Sequence, residues 1–582
     1  MLLPPDGRSL LTDLLRPPPG YSLDRAVATT FTLELDSLLT APLAFAAHAM
    51  REQQDPISVM DGVRRCADRV DVFCQAGQIA PPPGNSSLLL LLEEIIHPVR
   101  RPRPGRLFHP KMWLVRYVSD EDWLLRLIVL SRNLTNDRSW DVSLSLDGAI
   151  GTRPDARNAP LVKLLRHTIT LAGQPVPEDR RAAIDELLED LRRAVWELPE
   201  GFQDIAFYAL GVPGSRPPDF AGTRHLIMSP FVENDGLDLC APGNGDLTIV
   251  SRQEQLDRLP DGSLDGCTVF VLNDLAALEL EDEAGPAHLS GLHAKTYVVE
   301  KGHRARVIVG SANATGAAFS GNIELLVELA ASKEKLGINK LAGEDSDLRA
   351  ILEEYERHDL VEPDDDSGWA LENYLRDIAA VAFSATVLNG GEPYELRVQT
   401  AEDVVPPPGG RLTLSLLTRP DQAIDLPAEA VYSGLATTEI TRFLLLTAEG
   451  QDGTIRRAVV IASLTGDPYD RLDRVLAEQI NTPEKFLQFL MLLLGLGVPG
   501  QLTATGEAVG GGGVWQQRSS GVLELLLGAL ADRPHQLDDL AGLVQHLAAT
   551  EEGRGVLPEG FLELWQHVDQ VRRDLATAEA SA

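Results

Sequence analysis

The sequence predicts an α/β protein. Two related halves, each a mixed sheet flanked by helices, are expected about a pseudo-twofold axis, followed by a β-rich module and a helical module. Three observations carry this prediction. Strand-like and helical segments alternate through the first 335 residues, a set of chemically active residues recurs once at long period, and the patterning changes twice further on. The expected divisions are 1–150 (first half), 151–200 (helical connection), 201–335 (second half), 336–384 (helical linker), 385–467 (β-rich module) and 468–582 (helical module). A chain of 582 residues has room for several domains of about 150 residues.

Residues Ala28 to Leu35 alternate and are β-branched, which predicts a strand, with a helix from Asp36 to Met50. Asp71 to Ile79 is a second strand. After the turn at Pro81 to Gly84, Asn85 caps an expected helix through Ile96. Arg106 to Val118 and Leu124 to Leu130 read as paired strands, and Asp155 to Leu198 as helical. Strands then resume at Arg224 to Ser229, Leu247 to Val250, Cys267 to Leu272, His293 to Val299 and Ala305 to Val309. A helical segment is expected from about Asp345 to Val381. From Ala385 to Leu464, short strands between Gly/Pro turns suggest a small sandwich or barrel. From Pro468 onward the chain is Leu-rich and helical, interrupted by Gly510 to Gly513, a predicted loop.

The formal net charge is −34 and the pI about 4.7. Such a field repels nucleic acid at long range and excludes a histone-like coat protein, but it leaves room for an enzyme with a local basic groove. Four scattered cysteines without C-x-x-C spacing exclude a zinc ribbon and argue for a reducing compartment. No apolar run approaches the ~18 residues of a membrane span, and the first residues lack a leader's basic and apolar regions. A cytoplasmic protein is expected, without a membrane partner.

The duplication is specific. One copy has Phe108, His109, Pro110 and Lys111, then Ser131, Arg132, Asn133 and Thr135, then Trp140 and Asp141. The other has Leu292, His293, Ala294 and Lys295, then Ser311, Ala312, Asn313 and Thr315, then Ile323 and Glu324. With 12 His and 8 Lys in the chain, chance predicts about 0.16 H-x-K triplets, whereas two occur, each followed by S-x-N-x-T. On a strand, residues i and i+2 share a face, so each His and Lys project together. Two imidazoles, two ammonium groups and two carboxamides converging on one cleft suit a phosphodiester. One His attacks phosphorus, the other protonates the leaving oxygen, and Lys and Asn stabilise the non-bridging oxygens. No metal is required by this scheme and no cofactor is implied. Asp141 and Glu324 are candidates to orient an imidazole. Ser131 and Ser311 are candidates for a direct role or for turn formation.

These residues resemble the phospholipase D superfamily, whose motif is H-x-K, four residues, Asp, then G-S-x-N. The resemblance covers roughly residues 25–335. It implies two similar α/β halves around one shared cleft, with His109, Lys111, Asn133, His293, Lys295 and Asn313 as the active site. There are departures. Arg116 and Glu300 stand at the motif's Asp positions, and Leu130 replaces the Gly that Gly310 keeps. Loss of that Asp is more similar to the tyrosyl-DNA phosphodiesterase and restriction-nuclease branches than to the phospholipases. By analogy with two-copy members, His109 is expected to be the nucleophile.

From Ile95 to Ser119 there is no acid, but there are Arg100, Arg101, Arg103, Arg106, Lys111 and Arg116. Arg100, Arg101, Arg103 and Arg106 are therefore expected to line a positive rim that binds a polyanionic backbone, DNA before RNA. The leading expectation is a metal-independent nuclease acting through a phosphohistidine. The alternatives are a phospholipid hydrolase or transferase and a catalytically quiet nucleic-acid-binding scaffold. The resemblance further implies a setting in restriction or phage defence beside a helicase or ATPase. A homodimer is a further candidate state.

Overall fold

A computed structural model describes residues 11–46, 56–84, 87–120, 122–136, 139–243, 245–273, 291–359, 366–426, 429–468, 471–493, 526–528, 530, 534–549 and 551–579. Gly510 to Gly513 lie outside the described residues.

The first sheet is built from β1 (Ser22–Thr30), β2 (Val70–Gln75), β3 (Ile96–Val99), β4 (Met112–Val118), β5 (Trp123–Leu130), β6 (Ser143–Ile150) and β7 (Ala194–Trp196). Its order is β3-β2-β1-β4-β5-β6-β7. Strands β1, β2 and β3 run parallel, and β4, β5, β6 and β7 each run antiparallel to the strand before them in that order. β2 is buried along its whole length, which explains a run of Val, Phe and Cys without clean alternation. Pro98, which has no amide to donate, sits on the edge strand β3.

The second sheet contains β8 (Phe202–Leu210), β9 (Arg224–Met228), β10 (Asp246–Val250), β11 (Thr268–Leu272), β12 (Thr296–Lys301), β13 (Arg304–Gly310), β14 (Glu324–Ser332) and β15 (Leu352–Glu354). Its order is β8-β14-β13-β12-β9-β10-β11-β15. The series β11-β10-β9-β12-β13-β14 repeats β3-β2-β1-β4-β5-β6 in order and in every strand sense.

The halves join through two reciprocal contacts. The His109 amide donates to the Ile323 carbonyl (2.9 Å), and the His293 amide to the Trp140 carbonyl (2.8 Å). Each contact is the other with the halves exchanged. A single apolar core runs through both halves, from Phe108, Leu114 and Val129 to Leu292, Val298 and Leu325. At about 25 cal/mol per Å² of apolar surface buried, such a core is the main term holding the halves together.

Beyond the second half, two sheets pack face to face over Leu396, Tyr432, Leu412 and Leu446. One of them also takes in two short strands of the first half, Leu33–Glu34 and Ile79–Ala80, beside Ile455–Ile461. Helices Pro483–Leu493, Pro534–Ala549 and Phe561–Glu579 add Phe486, Leu540 and Phe561 to the apolar core formed with Leu38 and Val63 of the first half.

Three local expectations change. The helix expected from Asn85 to Ile96 is a 3₁₀ segment, Ser87–Leu92, followed by β3, because Ile96 and Val99 complete the parallel ladder on β2. Of the helix expected from Asp345 to Val381, the described residues form a 3₁₀ turn at Arg349–Ile351 and a helix at Asp366–Ile378, while Leu352–Glu354 instead extends the second sheet on β11. Asp155 to Leu198 divides into helices Ala159–Leu171 and Glu178–Leu191, then β7. In each case tertiary pairing overrides the local pattern.

A buried ion pair connects the C-terminal helices to the first half. Arg471 Nη2 donates to Glu93 Oε2 (2.7 Å), and Glu93 Oε1 accepts from Thr441 Oγ1 (2.7 Å) and the Arg442 amide (2.8 Å). Arg471 also holds Asp467 (2.6 Å), so losing Glu93 leaves the buried Arg471 charge with one carboxylate and strips the Thr441 hydroxyl and Arg442 amide of their acceptor. Glu93→Ala is expected to destabilise the protein by about 3 kcal/mol, and Glu93→Gln by less. Urea unfolding checks this, and an unchanged midpoint for Glu93→Ala contradicts it.

Candidate active site

Each H-x-K lies on the extended segment that enters the fourth strand of its motif order, β4 or β12. Each S-x-N follows the next strand, β5 or β13. The serines act alike. The Ser131 amide donates to the Val142 carbonyl (3.0 Å) and its hydroxyl accepts from the Val142 amide (2.8 Å). Ser311 repeats both bonds with Leu325 (2.9 and 3.0 Å). Both hydroxyls are buried and tie the loop to the following strand.

The two sets of side chains meet across the junction of the halves. His109 Nδ1 is 2.8 Å from Glu324 Oε2, a carboxylate of the other half. Glu324 is fully buried and also accepts from Ser311 Oγ (2.5 Å) and Asn322 Nδ2 (3.3 Å). Burial alone would raise its carboxyl. The His109 imidazole, through its charge when protonated and through its hydrogen bond, together with the Lys111 charge and the Ser311 hydrogen bond, outweighs burial and holds it below its ordinary value. An ionised Glu324 can only accept, so Nδ1 carries the imidazole proton and Nε2 carries a lone pair. That lone pair accepts from Lys111 Nζ at 2.7 Å. Lys295 Nζ in turn reaches across to the Ser131 carbonyl (3.2 Å) while donating to the His293 carbonyl (2.8 Å).

The field here is positive although the protein is acidic. Burial, with Lys111 and Lys295 working against Glu324, pushes His109 down to about 4. Burial and then Lys295, Lys111, His109 and Arg252 push His293 down to about 2. His293 has no carboxylate among its described neighbours; its Nδ1 is 3.4 Å from Lys295 Nζ. Lys111 is itself held well below its ordinary value by burial and by Lys295. The Oδ1 atoms of Asn133 and Asn313 are both buried without a hydrogen-bond partner, a matched pair of polar atoms in the two halves.

The remaining expected residues are placed differently. Asp141, the positional counterpart of Glu324, lies 3.4 Å from Arg132 Nε. The acid-free stretch is not acid-free in space. Arg116 is buried against Asp24, Glu186 and Asp190, and Arg101 is bonded to Asp377 of the Asp366–Ile378 helix. Arg100 donates to the Gly173 carbonyl (3.1 Å). Arg106 lies against Gly321, where an added Cβ would stand 2.6 Å from its Nε. Arg103 and Arg216 line a cavity of about 320 Å³ with Leu210 and Ser320. Glu300, at the second motif Asp position, serves the fold: it accepts from Lys333 (2.8 Å) and the Ile338 amide (2.7 Å).

Several site residues were not evident from the sequence. Phe31 sits edge-on to the His109 ring at 5.2 Å, and the Arg376 guanidinium lies 5.9 Å from the Phe31 centroid. Arg252 Nε donates to the Leu292 carbonyl beside His293 (2.8 Å). A further repeat lies under both motifs. Thr30 Oγ1 and Ser229 Oγ each donate two residues onward (2.8 and 2.7 Å) and accept from the residue after the motif Asn, Leu134 or Ala314 (3.1 and 3.0 Å). Glu34 and Glu233 then accept from the Asn136 and Gly316 amides (2.9 and 3.2 Å). The pattern Thr/Ser, two residues, Leu/Val, Glu was available in the sequence as the signal for it.

Among the described residues, no group of three or more His, Cys, Asp or Glu side chains could hold a metal ion. Nor is any described helix long and apolar enough to cross a membrane.

No family model matches the chain, and no curated protein matches it. Among solved structures it is similar to the crystal structure of polyphosphate kinase from Porphyromonas gingivalis, at 13% identity and a TM-score of 0.31. The likeness covers 63% of this chain and 50% of that one, so the chain matches half the length of that kinase. A likeness this distant carries no argument about function.

Both imidazoles bind protons less tightly here than in the unfolded chain, where the value is near 6.5. The unfolded state therefore gains protons first as pH falls, and stability is lost from about pH 6.5 toward 4. Thermal melts of the ligand-free protein between pH 7.5 and 5 are expected to show a falling midpoint. The double variant His109→Gln with His293→Gln should have a flatter profile, and equal slopes would contradict this account.

Proposed function

We propose that the protein is a phosphodiesterase of the phospholipase D type, and in particular a nuclease, that works through a phosphohistidine on His109. One observation carries the assignment of roles: of the two imidazoles, His109 alone is anchored by a buried carboxylate among the described residues, Glu324 at 2.8 Å. That bond leaves the Nε2 lone pair directed away from the anchor, as a nucleophile requires.

The chemistry follows from the charges. A non-bridging phosphate oxygen takes over the Lys111 ammonium and frees the His109 lone pair. The bound anion also opposes the field of Lys111, Lys295 and Arg252 that keeps His293 neutral, so His293 gains a proton as substrate binds. The Nε2–P bond then forms as the bond from phosphorus to the leaving oxygen breaks, and that oxygen takes the His293 proton. In the second step water gives a proton to His293 and attacks phosphorus, the N–P bond breaks, and His109 regains its lone pair. Lys295, Asn133 and Asn313 face the developing negative charge. Arg103 and Arg106, which form no ion pair with a described residue, are the rim cations best placed for a polyanionic strand.

Labelled single-stranded DNA, RNA and phospholipid, each incubated with the protein in EDTA, test the class. Cutting of nucleic acid is expected, whereas turnover of lipid alone would overturn the nuclease reading. His109→Ala should abolish cutting. His293→Ala, given a diester with a good leaving group, should accumulate an acid-labile phosphoprotein that His109→Ala never forms. Glu324→Gln should lower kcat by about 10²- to 10⁴-fold, since it removes the group that selects the tautomer. Full activity in Glu324→Gln would refute the assigned roles.

A further inference from the structure

The loops that follow β1 and β9 flank the two histidines, yet they end differently. On the first-half side Phe31 packs against His109 and lies under Arg376. The helix that carries Arg376 sits hard against Gly77, where an added Cβ would be 2.7 Å from the Arg376 Cα. That side is closed by the segment beyond the second half.

On the second-half side the matching loop bears Phe231, which is 41% exposed. The Ser229 hydroxyl donates to the Phe231 carbonyl (2.7 Å) and accepts from the Ala314 amide (3.0 Å), so the loop is tied directly to the residue after Asn313. The Arg252 guanidinium lies 5.4 Å from the Phe231 centroid, and its Nε is held by the Leu292 carbonyl next to His293 (2.8 Å). No described carboxylate pairs with Arg252. A solvent-facing ring and a guanidinium that no described carboxylate neutralises therefore stand together, the ring's loop tied to Ala314 after Asn313 and the guanidinium to Leu292 before His293. A flat, partly apolar, anion-bearing ligand satisfies both groups.

We propose that Phe231 and Arg252 form a shelf for the nucleoside that flanks the scissile phosphate, with the base stacked on the exposed face of Phe231 and a backbone phosphate oxygen on Arg252. The inference rests on the phosphodiesterase reading and narrows it: the substrate carries nucleobases, and a bare polyphosphate or a lipid headgroup would leave Phe231 without a partner. The strand lies across the open His293 side, since the His109 side is occupied.

The test compares an oligothymidylate with an abasic oligonucleotide of the same length. Phe231→Ala should lower the preference of kcat/KM for the base-bearing chain by about tenfold, the order expected for one lost stack. Phe231→Tyr should keep that preference, and Arg252→Met should weaken both chains alike. Equal losses on the two chains for Phe231→Ala, or no loss on either, would overturn the shelf. Fluorescence anisotropy with the full-length His293→Ala protein separates the two claims. If the wild type cuts neither chain, the hydrolase reading fails, and binding still decides the shelf. A base-dependent affinity that Phe231→Ala removes supports it, and equal or absent binding of the two chains rejects it.

Discussion

The contact between His109 and Glu324 is the constraint on which the site depends. It joins residues 215 positions apart, and it exists only because two sheets of one strand order meet where the chain enters their central strands β4 and β12, through reciprocal backbone bonds at His109 and His293. Those bonds fix where each H-x-K enters the junction. The serines then fix where the following strand begins, and so where Glu324 stands. Buried charge of this kind costs several kcal/mol unless every partner is present, which accounts for the density of bonds to Glu324.

The second consequence is electrostatic. The chain carries an excess of acid, yet its junction concentrates Lys111, Lys295, Arg252 and Arg376 around two neutral imidazoles. Burial and neighbouring ammonium groups both oppose protonation, and among the described residues the carboxylate that favours it, Glu324, is bonded to His109. The free protein thus holds both imidazoles neutral, His109 bonded to Glu324 and Lys111 and His293 beside Lys295. This local field works over a few ångströms where the global charge is screened.

The segments after the second half are joined to the first half in several places. Two short strands of the first half are hydrogen-bonded into the six-stranded sheet, Glu93 is buried against Arg471, and the Asp366–Ile378 helix brings Asp377 to Arg101 and Arg376 to Phe31. Part of the surroundings of His109 is therefore made by sequence far from either motif. This arrangement makes the two sides of the junction unequal although the strands beneath them correspond.

The sequence by itself determined the alternation of strands and helices, the duplication, and the residues His109, Lys111, Asn133, His293, Lys295 and Asn313 that the fold brings together. These were legible because a two-residue spacing on a strand is a local property, and because lysine is rare enough here for paired H-x-K to stand out. The tertiary structure alone decided the partners. It chose Glu324 over Asp141 as the carboxylate on an imidazole, and it neutralised Arg101 and Arg116 with acids from distant segments. It also turned Leu352–Glu354 into an edge strand and delivered Phe31, Arg252 and Arg376 to the site. A side chain's charge and size are written in the chain, but what it pairs with depends on which surfaces the folded core presses together, and neighbours in sequence do not record that.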